Sequence, residues 1–159
     1  MEDYGKPGNY VARQVSRWSK QYRASETDDI EAMNNLIEWL PKNIPDDDET
    51  SIVHGDYRLD NMILKDNQVM GILDWELSTL GHPIADFSYH CLSWRTQEAF
   101  WDQSKLKELG IPNEREYMDM YCENTGKDLS KNWEFYMAFN MFKIAGILQG
   151  ILGRVRAVS

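Results

Sequence analysis

Three polar side chains follow short apolar runs at a spacing that suits phosphoryl transfer. Asp56 and Asn61 belong to the pattern His-x-Asp-x-x-x-x-Asn that begins at His54, and Asp74 follows Asn61 after thirteen residues. A hydroxyl that attacks the terminal phosphorus of ATP must be oriented and must lose its proton, while the phosphate oxygens need cations beside them. The pattern therefore predicts a phosphoryl-transfer loop in which Asp56 is the catalytic base.

The same stretch offers oxygen ligands for a metal ion. Asn61 supplies a neutral oxygen and Asp74 an anionic one, an incomplete set that Mg²⁺ completes with water and substrate phosphate. These two residues are therefore predicted to hold Mg²⁺ and, through it, ATP. Arg58 could stabilise charge that develops on the transferred phosphate, or it could simply form an ion pair with Asp60.

The motifs resemble those of the aminoglycoside phosphotransferase and choline kinase-like family. Its usual signature is His-Gly-Asp-x-x-x-x-Asn, followed by an apolar strand that ends in Asp-Trp or Asp-Phe. Within that family, the chain most resembles phosphotransferase domains found alone in bacteria or fused to acyl-CoA dehydrogenase-like domains. The resemblance is carried by residues 13–18, 54–61, 73–83, Asp86 and 142–150.

The resemblance implies a role for each matching polar residue. Asp56 would be the base, and Asn61 and Asp74 the magnesium ligands. Asp86 would be a structural acid that holds the backbone of the catalytic loop. Glu76 would add an outer contact to the magnesium site or a contact to a second metal ion.

Each residue also has an ordinary structural interpretation. An isolated Asp beside Gly is usually a turn residue, and an isolated Asn is usually a cap or loop residue. Only the joint spacing favours the functional interpretation. His54 could titrate near neutrality beside the base, but the resemblance implies that it mainly braces the loop.

Composition limits the other possibilities. The 159 residues, 42% of them hydrophobic, suit one folded domain, and a net charge of −9 disfavours nucleic-acid binding. The acidic run 46–49 is predicted to be a solvated loop, the alternative being a rim that attracts cationic substrates. Two cysteines and the lack of an apolar leader favour a cytoplasmic protein, or an organellar one in a eukaryote. Residues 133–155 are interrupted by polar side chains, which favours a buried helix over a membrane span.

The predicted fold class is α+β and mainly helical, a protein kinase-like carboxy-terminal lobe with a small β-hairpin that carries the active site. The hairpin would bring Asn61 and Asp74 to the same open end. A cap at Thr27 or Asp28 is predicted for the second helix. The predicted helices are 11–24, 28–40, 83–93, 112–124 and 132–154, the strands are 51–53, 62–64 and 69–73, the tight turn is 65–68, and the loops are 96–110 and 126–131.

A complete enzyme of the resembling family also has an amino-terminal lobe of strands that covers the nucleotide. Residues 1–50 are predicted to be helix and loop, and the segment 5–8 matches no glycine-rich phosphate-binding motif. The expectation is therefore a single domain, 1–159, whose nucleotide lobe is missing and which alone binds ATP weakly. Its implied partners are that lobe, a fused acyl-CoA dehydrogenase-like domain and a small-molecule substrate.

Three functional hypotheses follow. The first is a phosphotransferase that uses ATP and Mg²⁺ to phosphorylate a small-molecule hydroxyl, with a hydroxyacyl-CoA favoured over an aminoglycoside. The second is a catalytically silent lobe that binds partners. The third is a metal-dependent phosphohydrolase that uses Asp56, His54 and Asp74, which is weakened because two-metal hydrolases need further ligands.

Overall fold

The structure, a computed structural model, describes residues 4–96 and 103–158. Helices dominate these residues, and the strands form two small antiparallel sheets, which confirms the predicted fold class. The helices are α1 (Tyr10–Ser25), α2 (Glu31–Trp39), α3 (Pro83–His90), α4 (Ser93–Thr96), α5 (Gln103–Glu108), α6 (Glu114–Thr125) and α7 (Trp133–Val158). The strands are β1 (Ser51–Val53), β2 (Met62–Lys65), β3 (Gln68–Ile72) and β4 (Thr79–Gly81).

Helix α7 is the centre of the hydrophobic core. Its aromatic side chains recur at helical spacing and are buried, as expected for packing residues. They are Trp133, Phe135, Tyr136, Phe139 and Phe142. By length and composition the stretch Trp133–Arg156 could cross a membrane, because an 18-residue window within it has a mean hydropathy of 1.3, but half of that window is buried in the fold. Contacts with α1 and α3 account for that burial and support the predicted core helix.

Helix α1 packs against glycines of α7, most tightly at Gly153. A Cβ atom at Gly153 would lie 3.3 Å from the carbonyl oxygen of Ser25, whereas one at Gly146 would make an ordinary contact, 3.7 Å from the Trp18 ring. The sequence predicts close helix packing at these glycines, and the structure confirms it. Helices α1 and α7 thus pack closely along their length, and α1 also contacts β4.

The two sheets hold the polar loop between them. Strand β1 pairs with β4, with Ser51 opposite Gly81, and β2 pairs with β3 in a hairpin. Asp66 and Asn67 form its two-residue turn, both at positive φ, as the sequence predicts. Strand β4 was not predicted, because three residues between a turn and a helix carry too little alternation to indicate a strand.

Other element boundaries also differ from the predictions. Helix α2 begins at Glu31 after Ile30, which makes no side-chain cap, so the predicted cap at Thr27 or Asp28 is wrong. Asp28 instead accepts a hydrogen bond from Arg156 of α7 at 2.9 Å, a contact remote in sequence.

The carboxy-terminal half shows two further differences. The predicted loop 96–110 contains α5, whose short polar sequence gives no clear apolar stripe; residues 97–102 of that loop lie outside the described residues. The predicted helix 83–93 ends at His90 and is followed by the separate turn of α4.

Candidate active site

The Asp86 side chain fixes the start of the polar loop. Its carboxylate accepts hydrogen bonds from the backbone amides of His54 and Gly55, both at 2.9 Å. Asp86 lies in α3, which packs against α7 and against β1. The core therefore determines where the chain turns away from β1, through one carboxylate that engages two consecutive amides.

His54 joins the two segments that carry the candidate catalytic residues. The Asp56 amide donates to its Nδ1 at 3.2 Å, so Nε2 carries the proton and donates to the Leu73 carbonyl oxygen at 2.8 Å. The ring is 4% exposed, and its centroid lies 4.8 Å from that of Trp75. These contacts connect the backbones on either side of Asp56 and Asp74.

Gly55 permits the sharp turn before Asp56. Its φ of +84° lies in the left-handed region, which a side chain disfavours. A Cβ atom there would also stand 2.7 Å from the carbonyl oxygen of Leu77. The loop passes this close to the segment after Asp74 only because residue 55 has no side chain.

Asp56 and Asn61 are joined directly. The Asn61 side-chain amide donates to the Asp56 backbone carbonyl at 2.8 Å and to its carboxylate oxygen Oδ2 at 3.1 Å. With the amide nitrogen engaged in this way, Oδ1 of Asn61 is left to bind another group. The carboxylate of Asp56 is held in place but remains half-buried.

Asp74 follows directly on Leu73, which pairs with Asn61 at the end of the hairpin. The Leu73 amide donates to the Asn61 carbonyl oxygen at 2.8 Å, which continues the pairing of β2 and β3 by one residue. Asp74 itself has a left-handed backbone, φ +63°, and precedes the 3₁₀ turn Trp75–Leu77 without capping it. Its exposed carboxylate thus stays available to a cation.

The available oxygens fit a magnesium ion with open positions. Oδ1 of Asn61 and the Asp74 carboxylate are hard ligands, and Mg²⁺ typically takes one or two carboxylates and leaves other positions to water and phosphate. Within the described ranges no group of three or more His, Cys, Asp or Glu residues could form a closed metal cage. The donor set thus suits a metal ion that is shared with a substrate.

Two further predicted site residues face the solvent. Arg58 donates through Nε to the Asp60 carboxylate at 2.9 Å, and Asp60 raises the pKa of the guanidinium. Its side chain is 59% exposed. Glu76 lies exposed on the 3₁₀ turn after Asp74, with no hydrogen bond or ion pair among the described residues. For Arg58, the structure shows the ion pair with Asp60, which the sequence left open as the alternative to stabilising phosphate charge.

Sequence reasoning assigned no role to Tyr89 of α3 or Lys143 of α7. Burial raises the pKa of the Tyr89 phenol, and the negative charge of Asp56 raises it further. The Lys143 ammonium lies 4.1 Å from the centroid of the Tyr89 ring. Residues 56 and 143 are far apart in the chain, and the sequence offers no local signal that links them.

His82 does not belong to this cluster. The buried ring lies 3.1 Å from the Tyr136 hydroxyl and 3.5 Å from the Asp47 carboxylate, and burial lowers its pKa. It connects α3, α7 and the acidic loop. These contacts give His82 a structural role.

Comparisons with known proteins agree with this arrangement. The model of the phosphotransferase enzyme family, APH, matches residues 1–121. A crystal structure of a "putative aminoglycoside phosphotransferase" from Ralstonia eutropha superimposes with a TM-score of 0.90 and 53% sequence identity, over 98% of this chain and 49% of the other. Its fold is protein kinase-like.

Curated relatives are longer proteins. Mouse acyl-CoA dehydrogenase family member 10 is 47% identical over 161 residues, and human acyl-CoA dehydrogenase family member 11 is 44% identical over the same length. The matches cover 97% of this chain but only 15% and 21% of those proteins. The kinase-like fold, the family match and these relatives together show that the chain belongs to the APH phosphotransferase enzyme family.

Proposed function

We propose that this chain is the catalytic lobe of a phosphotransferase that uses ATP and Mg²⁺ to phosphorylate a small-molecule hydroxyl. The observation that carries the proposal is the pair of hydrogen bonds from the Asn61 amide to Asp56. They hold the Asp56 carboxylate against Asn61, which with Asp74 is proposed to bind the metal ion. Membership of the APH family supports the same chemistry.

Each residue has a defined task in this proposal. Asp56 accepts a hydrogen bond from the acceptor hydroxyl, orients it and takes its proton, and the Asn61 amide keeps the Asp56 carboxylate in one rotamer. Mg²⁺ bound by Asn61 and Asp74 would offset the charge of the phosphate oxygens. Asp86 and His54 position the loop without touching the substrate. Positioning and electrostatic stabilisation provide most of the catalysis in phosphoryl transfer.

A hydroxyacyl-CoA is the acceptor that we favour over an aminoglycoside. The relatives named as acyl-CoA dehydrogenase family members support this choice. The acidic loop gives little support to a cationic substrate, because three of its four carboxylates have partners within the protein. Asp47, Asp48 and Glu49 contact His82, the Asn9 amide and Lys127 respectively.

The proposal also requires a nucleotide lobe beyond this chain. Large apolar side chains near the site are exposed to solvent, among them Leu59 at 70%, Leu77 at 60% and Ile52 at 50%. An apolar surface next to a polar site suits a covering partner. We propose that such a lobe covers this surface and completes the ATP site.

The test uses a chimera in which this chain is joined to the part of the Ralstonia eutropha relative that it does not cover. We expect ATP-dependent phosphorylation of a hydroxyacyl-CoA panel, lost by at least about 10²-fold in Asp56→Asn. Asp66→Asn is the matched control, because Asp66 lies in the exposed hairpin turn. Unchanged turnover in Asp56→Asn would remove Asp56 from the role of base.

Calorimetry tests the need for a second lobe and the role of Asp74 in metal binding. The chain alone should bind ATP weakly, and tight binding would contradict the need for a second lobe. In the chimera, Asp74→Ala should remove the Mg²⁺-dependent part of nucleotide binding. A folded chimera without turnover on any acceptor would favour the silent binding lobe instead.

A further inference from the structure

Arg58 is the cation nearest to Asp56 in the sequence, and it already forms an ion pair. Arg58 is bound to Asp60 through Nε, and its side chain is largely solvated. An exposed ion pair of this kind contributes little to the stability of a protein. A protein cation that assists Mg²⁺ at the transferred phosphate would therefore come from another element.

Lys143 of helix α7 is a candidate for this cation. One turn earlier, the Asn140 side-chain amide donates to the Ala85 carbonyl oxygen at 2.9 Å and to the Ser88 hydroxyl at 2.7 Å. These buried contacts fix the register of α7 against α3. They place the Lys143 ammonium 4.1 Å from the centroid of the Tyr89 ring.

The Lys143 ammonium is held by an aromatic ring and by long-range charge. Among the described residues no hydrogen bond or ion pair involves it, although the charges of Asp86 and Asp56 act on it and raise its pKa. Burial acts in the opposite direction and is the largest effect, so the pKa of Lys143 is lowered. An ammonium that has lost water and gained no hydrogen-bond acceptor favours an anionic ligand.

We infer that Lys143 is a catalytic cation that binds the transferred phosphoryl group beside Asp56. This inference rests on the proposed function. As the acceptor oxygen bonds to the terminal phosphorus of ATP, its proton passes to Asp56 and the bond from phosphorus to the ADP oxygen breaks. Lys143 keeps its proton throughout and offsets charge on the phosphoryl oxygens, while the Tyr89 ring stays in contact with its ammonium group.

The first test needs only this chain and inorganic phosphate as the probe. Lysine side chains labelled with ¹³C and ¹⁵N should show a saturable shift of the Lys143 signals on titration with phosphate at constant ionic strength. The shift should be absent in Lys143→Met and preserved in Lys20→Met, since Lys20 is exposed on α1 and has no ion pair among the described residues. Lys143 signals that do not respond to phosphate would overturn the inference.

The second test uses kinetics of the chimera. Lys143→Met should lower kcat by about 10²-fold, the usual effect of removing one group that stabilises transition-state charge, and Lys143→Arg should recover part of it. The KM values for ATP and acceptor should change by less than about threefold. Unchanged kcat would overturn the inference, and so would a raised acceptor KM alone, because that would assign Lys143 to an anionic group of the acceptor.

The two tests separate the inference from the function on which it rests. An inactive chimera in which phosphate still shifts the Lys143 signals would refute the proposed function and retain an anion site at Lys143. An active chimera whose Lys143 signals ignore phosphate would refute the inference alone. Unfolding in urea serves as the fold control. Lys143 has no ion pair among the described residues, so the variant Lys143→Met should be as stable as the original chain.

Discussion

The Asp86 carboxylate accepts a hydrogen bond from the Gly55 amide at 2.9 Å, and this contact ties helix α3 to the loop that presents Asp56. A second oxygen of the same carboxylate engages the preceding amide of His54. One side chain of the helical core thus determines the path of two consecutive residues. The geometry around Asp56 depends on core packing as much as on the loop itself.

Replacing Asp86 by asparagine should release the loop. One oxygen becomes an amide group that points its hydrogens at a backbone N–H, so we expect a loss of roughly 2 kcal/mol in the free energy of unfolding. Urea titration measures that loss, and amide hydrogen exchange should become faster at His54 and Gly55. Asp119→Asn is the matched control, because it removes only an exposed pair with Arg115 and should cost less than about 1 kcal/mol. Equal effects of the two variants would contradict the bracing role.

Gly55→Ala should destabilise the chain more than an alanine at another left-handed glycine. Gly110 has φ +72°, and within the described part of the chain no atom lies within 4 Å of the position that a Cβ would take there. Gly110→Ala therefore reports only the backbone penalty, about 1–2 kcal/mol. Gly55→Ala adds a contact of 2.7 Å with the Leu77 carbonyl oxygen. Urea unfolding of the two variants measures the difference, and equal losses would show that the loop can move away from Leu77.

Gly146→Ala should leave the fold intact and raise its stability. The added methyl group would lie 3.7 Å from the Trp18 ring, an ordinary contact, while alanine is favoured over glycine within a helix by about 1 kcal/mol. Gly81→Ala provides the contrast, because its methyl group would lie 2.6 Å from a Val53 side-chain carbon. Thermal unfolding should therefore shift upward for Gly146→Ala and downward for Gly81→Ala. A downward shift for Gly146→Ala would mean that α1 and α7 approach more closely than the structure has them.

Two histidines should make the fold sensitive to mild acid. Burial lowers the pKa of His82 and of His90 below the ordinary value of 6.5, so the unfolded chain binds protons there that the folded chain does not. The free energy of unfolding should therefore fall as the pH drops below about 6.5. The carboxylates whose pKa is lowered, such as Asp28 and Glu134, affect stability only at lower pH, near their ordinary pKa values of 3.8 and 4.5.

Urea titrations at pH 7 and pH 5 measure this dependence. Each of the variants His82→Gln and His90→Gln should reduce the loss of stability between the two pH values, and the double variant should reduce it further. A double variant with the full pH dependence of the original chain would refute the assignment to these histidines.

The sequence by itself identified the elements that carry local information. The spacing from His54 to Asp74 predicted a phosphoryl-transfer loop, since residue types at fixed separations within one loop and one hairpin are a short-range signal. The turn at Asp66 and Asn67 was predicted correctly for the same reason, because both residue types tolerate positive φ. The burial of the α7 aromatics followed from helical periodicity.

Tertiary structure alone decided which distant residues meet these elements. Strand β4 exists because it can pair with β1, and the cap predicted at Asp28 is lost because that carboxylate meets Arg156 instead. Lys143 approaches the site from a helix that begins only at Trp133, far from the loop in sequence. Contacts of this kind depend on how α3 and α7 pack, and no pattern within a single segment of sequence records that packing.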